Sequence, residues 1–281
     1  MRYQFREYHY SLEQLQHSKP RKPTIDLKKI HNSQNILGLI LTFYVSFALS
    51  ARKTALVLRW VFQINLSYQT VLNYAEAAAY YAHQFNSTRK GPIDNIQAGD
   101  ETYIKVKGKH NYAFFFISTL NRSITSYHVA DNREALPAIT AMLEAIRTAK
   151  KNQQLTLITD GNPSYPAGIH FINSLDEEQK SISHHKVVGL QNLDDESETY
   201  RPFKQIVERL NRTYKYHVRP ANGFNSINGA IALTTLFVTY YNFLRPHRSL
   251  NCNVPIHVPE LDDIENIQTK WIKILSLVSA C

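Results

Sequence analysis

The sequence reads as an α/β protein: a mixed five-stranded sheet flanked by helices, preceded by an all-α segment. Three observations point there. After Gly91-Pro92 come three short runs rich in β-branched and aromatic residues. An amphipathic helix and then an apolar strand, Leu155-Thr156-Leu157-Ile158-Thr159, follow them. Ahead of all this, between Ser50 and Phe85, lie two helices with serine caps.

Residues 1–35 are polar and basic, include Lys19-Pro20-Arg21-Lys22-Pro23, and show no sustained apolar periodicity, so they read as an arm or linker. Residues 36–90 turn helical. The apolar stretch Ile36 to Ala51 is shorter than the roughly 20 residues that span a bilayer, and Gly38, Thr42 and Ser46 interrupt it, so a buried helix is expected rather than a membrane span. Ser50 caps a helix running to Phe62, Gln63-Ile64-Asn65-Leu66 breaks it, and Ser67 caps a second helix. Val71, Leu72 and Ala75 are expected to face inward, with Tyr68, Gln69 and Asn73 outward. This is the arrangement of a helix-turn-helix, in which the first turn of the second helix reads base edges and Gln or Asn pairs with adenine. Arg52 and Lys53 would add phosphate contacts. An ordinary helical hairpin with a polar surface has the same pattern.

Strands are expected at Glu101 to Lys107, Tyr112 to Thr119 and Ser123 to Val129, with turns at Gly108-Lys109-His110-Asn111 and Asn121-Arg122. A helix over Asn132 to Lys150 carries Leu136, Ile139, Met142, Leu143 and Ile146 on one face. The order βββαβ, followed by helices, is that of the ribonuclease H-like fold, assigned to residues 91–255. Residues 256–281 are left as a C-terminal tail.

Composition bounds the function. With 43% hydrophobic residues in a chain of 281, a full core can be buried. The formal charge of +9 favours a polyanionic partner, since neutralising phosphates releases counterions. Two cysteines exclude a disulfide framework and a zinc site of CxxC pairs, and fit a reducing cytoplasm.

Three acids stand out. Asp100 opens a strand, and Asp160 ends one directly before the turn signal Gly161-Asn162-Pro163. Glu208 lies in the helical run Phe203 to Arg212. In a ribonuclease H-like sheet the ends of the first and fourth strands are neighbours, so Asp100 and Asp160 can meet. Lys105, Lys107 and Lys109 alternate along one strand and its turn, which suits either a phosphate track or a solvated face. His184 and His185, adjacent on a strand, point to opposite faces and make a poor metal pair.

These residues resemble the DDE transposases of bacterial insertion sequences, which are related in their core to retroviral integrases. The resemblance covers roughly residues 36–255. It is carried by Gly99-Asp100-Glu101-Thr102, Ile158-Thr159-Asp160-Gly161, Val207-Glu208-Arg209-Leu210-Asn211-Arg212-Thr213-Tyr214-Lys215 and Tyr240-Tyr241-Asn242-Phe243-Leu244-Arg245-Pro246-His247-Arg248-Ser249-Leu250. It implies that Asp100, Asp160 and Glu208 are catalytic and hold two Mg²⁺ or Mn²⁺ ions. It also implies double-stranded DNA, element ends and target alike, as substrate, and a homodimer or higher oligomer on that DNA. No membrane is implied, and the place of action would be the nucleoid in a bacterial or archaeal cytoplasm. Arg212, Lys215 and Arg219 would put positive charge beside the metal site.

Two departures from the family pattern matter. Many members place the third acid nearer the second, which here would select Asp195 or Glu196. Those lie in Asn192-Leu193-Asp194-Asp195-Glu196-Ser197-Glu198, which reads as a solvated loop, so Glu208 is preferred. The chain also lacks the Cys-rich segment that some relatives carry near the N-terminus. A tyrosine-recombinase reading through Tyr240 or Tyr241 lacks the surrounding Arg-His-Arg set. The competing function is a DNA-binding regulator descended from such an enzyme whose core no longer cuts. A nuclease of the same fold would not need the helix-turn-helix.

Overall fold

In a computed structural model, which describes residues 10–25, 27, 33–150, 153–175, 182–187 and 194–279, the sheet has five strands in the order β3-β2-β1-β4-β5. These are β1 (Ile96–Val106), β2 (Lys109–Ser118), β3 (Ile124–Ala130), β4 (Leu155–Thr159) and β5 (Ile182–Lys186). The first three form an antiparallel meander, while β4 pairs parallel with both β1 and β5. That is the ribonuclease H-like sheet. β1 starts at Ile96, ahead of the expected Glu101, because Ile96, Gln97 and Ala98 supply the rungs to β4.

The helices are α1 (Gln34–Leu41), α2 (Ala51–Phe62), α3 (Tyr68–Thr88), α4 (Ala135–Ile146), α5 (Ser164–Leu175), α6 (Asp195–Val218), α7 (Ile227–Thr239) and α8 (Ile267–Ser279). One wide turn, Thr42–Ser46, extends α1, and another, Tyr240–Leu244, extends α7. Both expected serine caps are present: Ser50 accepts the Lys53 N–H and Ser67 the Thr70 N–H. Gln63, in left-handed conformation, ends α2 and turns the chain toward α3.

Two apolar layers flank the sheet. On one face α4 and α5 pack Ile139, Met142, Ile146, Tyr165 and Ile169 against Phe114, Phe116 and Leu157. On the other, α6 and α7 share one continuous core with α1, α3 and α8, from Leu37 through Phe115 and Phe237 to Leu275. The run Ile227–Leu244 is long and apolar enough to cross a bilayer by composition, but 72% of it is buried inside the fold.

Two readings change. The polar stretch expected as a loop is, from Asp195 on, the first turn of α6. Asp194 caps it by accepting the Ser197 N–H, and Asp195, Glu196 and Glu198 sit where the helix dipole favours negative charge. Residues 192 and 193 of that stretch lie outside the described residues. Within 256–281, α8 buries Trp271 completely, and the indole N–H donates to Ser46 Oγ at 3.0 Å. Gly38 of α1 meets this helix closely: a Cβ there would come within 2.6 Å of the Gln268 carbonyl oxygen.

The basic N-terminal arm follows the outer edge of β3. Ser18 donates its N–H to His128 Nδ1 and accepts the Val129 N–H, which occupies polar groups of an otherwise open edge strand.

Candidate active site

Sheet register brings the first two acids together. Ala98 of β1 is level with Ile158 of β4 in the parallel ladder. Two residues further along each strand direction stand Asp100 and Asp160. Gly99 is required by the same packing, because a Cβ there would meet the Phe116 ring at 2.3 Å. The β1–β4 ladder stops at Ala98, so the edge of β1 is open beside Asp160 and side chains from both faces can turn toward it.

Glu101 uses that opening. Asp100, Glu101 and Asp160 each offer a carboxylate oxygen within 4.8 Å of the others. Donors from the start of α5 hold this arrangement. Asp160 Oδ1 accepts the Asn162 N–H at 3.0 Å, and Asn162 Nδ2 donates to Glu101 Oε1 at 3.0 Å. The Tyr165 hydroxyl donates to Glu101 Oε2 at 2.6 Å. Burial, then the Glu101 charge, pushes the Tyr165 hydroxyl well above its ordinary pKa, which keeps it a donor. Burial raises the pKa of Asp100, the neighbouring Asp160 and Glu101 add to this, and Lys204 opposes it.

Helix α6 closes the site from the other face. Lys204, Glu208, Asn211 and Lys215 recur at i, i+4, i+7 and i+11, a single stripe. Lys204 Nζ lies 3.0 Å from Asp100 Oδ1, and Asn211 Nδ2 donates to Asp100 Oδ2 at 3.0 Å. Glu208, between them on the stripe, is exposed, and its carboxylate stands outside the close group of three. Glu196 points elsewhere: it is 2.5 Å from His185 Nδ1, whose ring stacks on Tyr200 at 3.8 Å. His184 turns the opposite way and bonds Thr159 Oγ1 at 2.8 Å.

The donor set suits a hard divalent cation, since it is made of carboxylate oxygens alone. Asn211 Oδ1, buried with no partner, is an acceptor left over beside Asp100.

The expected DNA contacts fall into two groups. Arg52 and Lys53 are exposed in the first turn of α2, and the Arg52 guanidinium lies 5.3 Å from the Tyr68 ring centre. Tyr68, Gln69 and Asn73 are exposed on the first turns of α3, with Gln69 Nε2 donating to Asn73 Oδ1 at 2.9 Å. The second group flanks the acids. Lys215 Nζ lies 4.3 Å over the Tyr103 ring, which stacks on His110, while Lys105, Lys107, Arg212 and Arg219 are exposed.

Residues 97–233 match the family model described as a DDE domain, of the IS240 transposase type. This segment is similar to DDE domains. Its span opens just before Asp100 and takes in Asp160 and all of α6. No curated protein matches the chain. Among solved structures, a chain of the simian T-cell lymphotropic virus intasome in complex with PP2A regulatory subunit B56 gamma is similar at 23% identity and TM-score 0.39, over 57% of this chain and 52% of that one. This chain thus spans about half the length of that intasome chain. The HTLV-2 integrase catalytic core domain in complex with magnesium, in its dimeric form, is similar at 17% identity and TM-score 0.37, over 59% of this chain and 95% of that one. Its trimeric form is similar at 16% identity and TM-score 0.36, over 59% and 97%.

Sequence reasoning passed over Glu101, Lys204, Asn162 and Tyr165. Strand alternation argues against two neighbouring acids sharing a site, so Glu101 could be found only from where the β1–β4 ladder ends. Lys204 carried a weak signal, as a lysine among apolar neighbours at helical spacing from Val207 and Asn211.

Proposed function

We propose that this protein is a transposase that binds the ends of a mobile DNA element, cuts a strand there and joins it to target DNA. The observation that carries this reading is the level placement of Asp100 and Asp160, with Glu101 within ligand distance, inside a DDE domain. Residues 36–90 act as the end-recognising helix-turn-helix, with Tyr68, Gln69 and Asn73 toward the bases and Arg52 and Lys53 on phosphates. Residues 91–255 act as the catalytic unit. Two such chains on paired ends make a dimer the smallest working unit, at the nucleoid in the cytoplasm.

Two divalent ions, Mg²⁺ or Mn²⁺, would supply activation of the attacking oxygen and stabilisation of the leaving oxygen in an in-line displacement. Asp100 and Asp160 would hold them, with Glu208 as the third ligand, reaching in from the stripe on which Lys204 and Asn211 already touch Asp100. Lys105, Lys107, Arg212, Lys215 and Arg219 track the phosphates on either side. In the first displacement water attacks a phosphodiester at the element's end and the 3′-oxygen leaves as a hydroxyl; in the second that hydroxyl attacks a target phosphodiester, forming a new bond as the target's own 3′-oxygen leaves. A tyrosine–DNA intermediate is disfavoured here, since Tyr241 is buried and its hydroxyl pushed up to about 12 by that burial.

The test is nicking and joining of DNA carrying the element's own ends with Mg²⁺ or Mn²⁺, for wild type and for Glu208→Gln, Glu101→Gln and Glu196→Gln. Loss of both reactions in the Glu208 variant, with end binding kept and the Glu196 variant active, is the expected result. Loss in the Glu101 variant alone would move the third ligand to Glu101. A wild type that binds ends but neither nicks nor joins them would favour a regulator.

A further inference from the structure

Lys204 is the least expected group in the site. It is 5% exposed, its ammonium lies 3.0 Å from Asp100 Oδ1, and the Gly99 carbonyl accepts from it at 3.4 Å. Lysine is almost never fully buried unless paired, and here its partner is a carboxylate of the metal-binding group. With Asn211 on Oδ2, both oxygens of Asp100 are filled by donors from α6.

Position says which place the ammonium takes. Asp160 and Glu101 approach Asp100 from the β4 and α5 side. Lys204 approaches from α6, one turn before Glu208 on the same stripe. It therefore occupies the side of Asp100 that Glu208 would share in holding a cation. Within the close group, three carboxylates and one ammonium leave two net negative charges, which one divalent ion neutralises; Glu208 stands outside that group and adds its charge only when it turns in. Two like charges competing for one carboxylate oxygen in a low-dielectric site repel each other strongly.

We propose that Lys204 is an internal cation standing in the place of the second divalent ion, so that the DNA-free protein binds one ion and admits another only when Lys204 leaves Asp100. This rests on the metal-dependent reading above and refines it. A phosphate entering between Asp100 and Glu208 is the natural acceptor for the displaced ammonium, whose flexible stem lets it follow the charge. The device withholds full metal loading until DNA is in place.

The test is Mn²⁺ binding to the full-length, DNA-free protein, followed by the paramagnetic resonance signal of free Mn²⁺, for wild type, Lys204→Gln and Lys204→Arg, with Asp160→Asn as control. The expected result is one bound ion in wild type and in Lys204→Arg, and two in Lys204→Gln, the second bound at least tenfold more tightly than by wild type. Asp160→Asn should lose the first ion. Melting temperature with and without Mn²⁺ gives a second readout: Lys204→Gln should melt below wild type without metal and gain more from Mn²⁺. Two ions of similar affinity in wild type overturn the proposal without recourse to any variant, as does equal binding by wild type and Lys204→Gln. No Mn²⁺ binding by any of the four proteins would instead overturn the metal reading itself, and the role of Lys204 with it.

Discussion

Asp100 is the residue on which the site turns, and its neighbours define what substitution should do. Asp100→Asn removes the charge that Lys204 pairs with and leaves a buried ammonium without a carboxylate, which costs about 3–5 kcal/mol when a buried pair is broken. Chemical denaturation should therefore show Asp100→Asn clearly less stable than wild type, whereas Asp160→Asn, which keeps an oxygen for the Asn162 N–H, should lose activity with little loss of stability. A second residue-scale prediction concerns the histidines beside the N-terminal arm. Burial, with a smaller contribution from neighbouring His17, lowers the pKa of His83 to about 4 and of His128 to about 3, from the ordinary 6.5. A histidine depressed in the folded state takes up its proton on unfolding. Its contribution to stability is thus complete above pH 6.5 and is lost as pH falls toward 4 for His83 and toward 3 for His128. At about pH 5 that amounts to ~2 kcal/mol for each, at 1.36 kcal/mol per pH unit. The facing groups are His17, Tyr127, Lys90 and Glu144, the last two ion-paired with each other. Denaturant titrations between pH 7 and 5 should show the loss, and His83→Asn should reduce it.

At the scale of elements, helices α2, α3 and α6 present the expected DNA-contact residues and close the acidic site. The α2–α3 pair was legible because Ser50 and Ser67 signal their helices through a local hydrogen bond, and local physics is visible in sequence. Ser67→Ala should cost about 1 kcal/mol at the start of α3 and weaken binding to the element's ends more than nicking of DNA already bound. The beginning of α6 was hidden for the opposite reason: an acidic run reads as a solvated loop until Asp194 is seen to cap it. Pro202 inside α6 hid it further. Asp160 was legible because it follows the end of β4 directly before a turn signal, whereas Asp100, read as opening a strand, lies inside β1. Glu101 was not legible, because its role depends on where a ladder between strands far apart in sequence stops. The same holds for Lys204, whose partner is contributed by β1.

At the scale of the molecule, the α2–α3 helices and the sheet share a core. The first turns of α3 present Tyr68, Gln69 and Asn73 outward, while further along Ala78, Ala82 and Phe85 are buried; Phe85 packs edge-on against Phe243. Helix α8 returns to seal α1 through Trp271 and Gly38. No periodicity argument reveals such a return, since the partner of Trp271 is Ser46. Trp271→Ala should cost about 3–5 kcal/mol, and removing residues 262–281 should cost the fold of α1 and α3 as well, read as loss of cooperative unfolding. A dispensable tail would leave the melting curve unchanged.

Asp100 and Asp160, brought level by the β1–β4 register, are proposed to make this a strand-transferring enzyme. The most direct measurement is joining of a pre-cut DNA end with a free 3′-hydroxyl into a supercoiled plasmid, with Mg²⁺ or Mn²⁺, by wild type and Asp160→Asn. Joined product is expected from wild type and should be abolished by chelation and by Asp160→Asn while end binding persists. Joining that survives in Asp160→Asn, or that proceeds without a divalent ion, would contradict it.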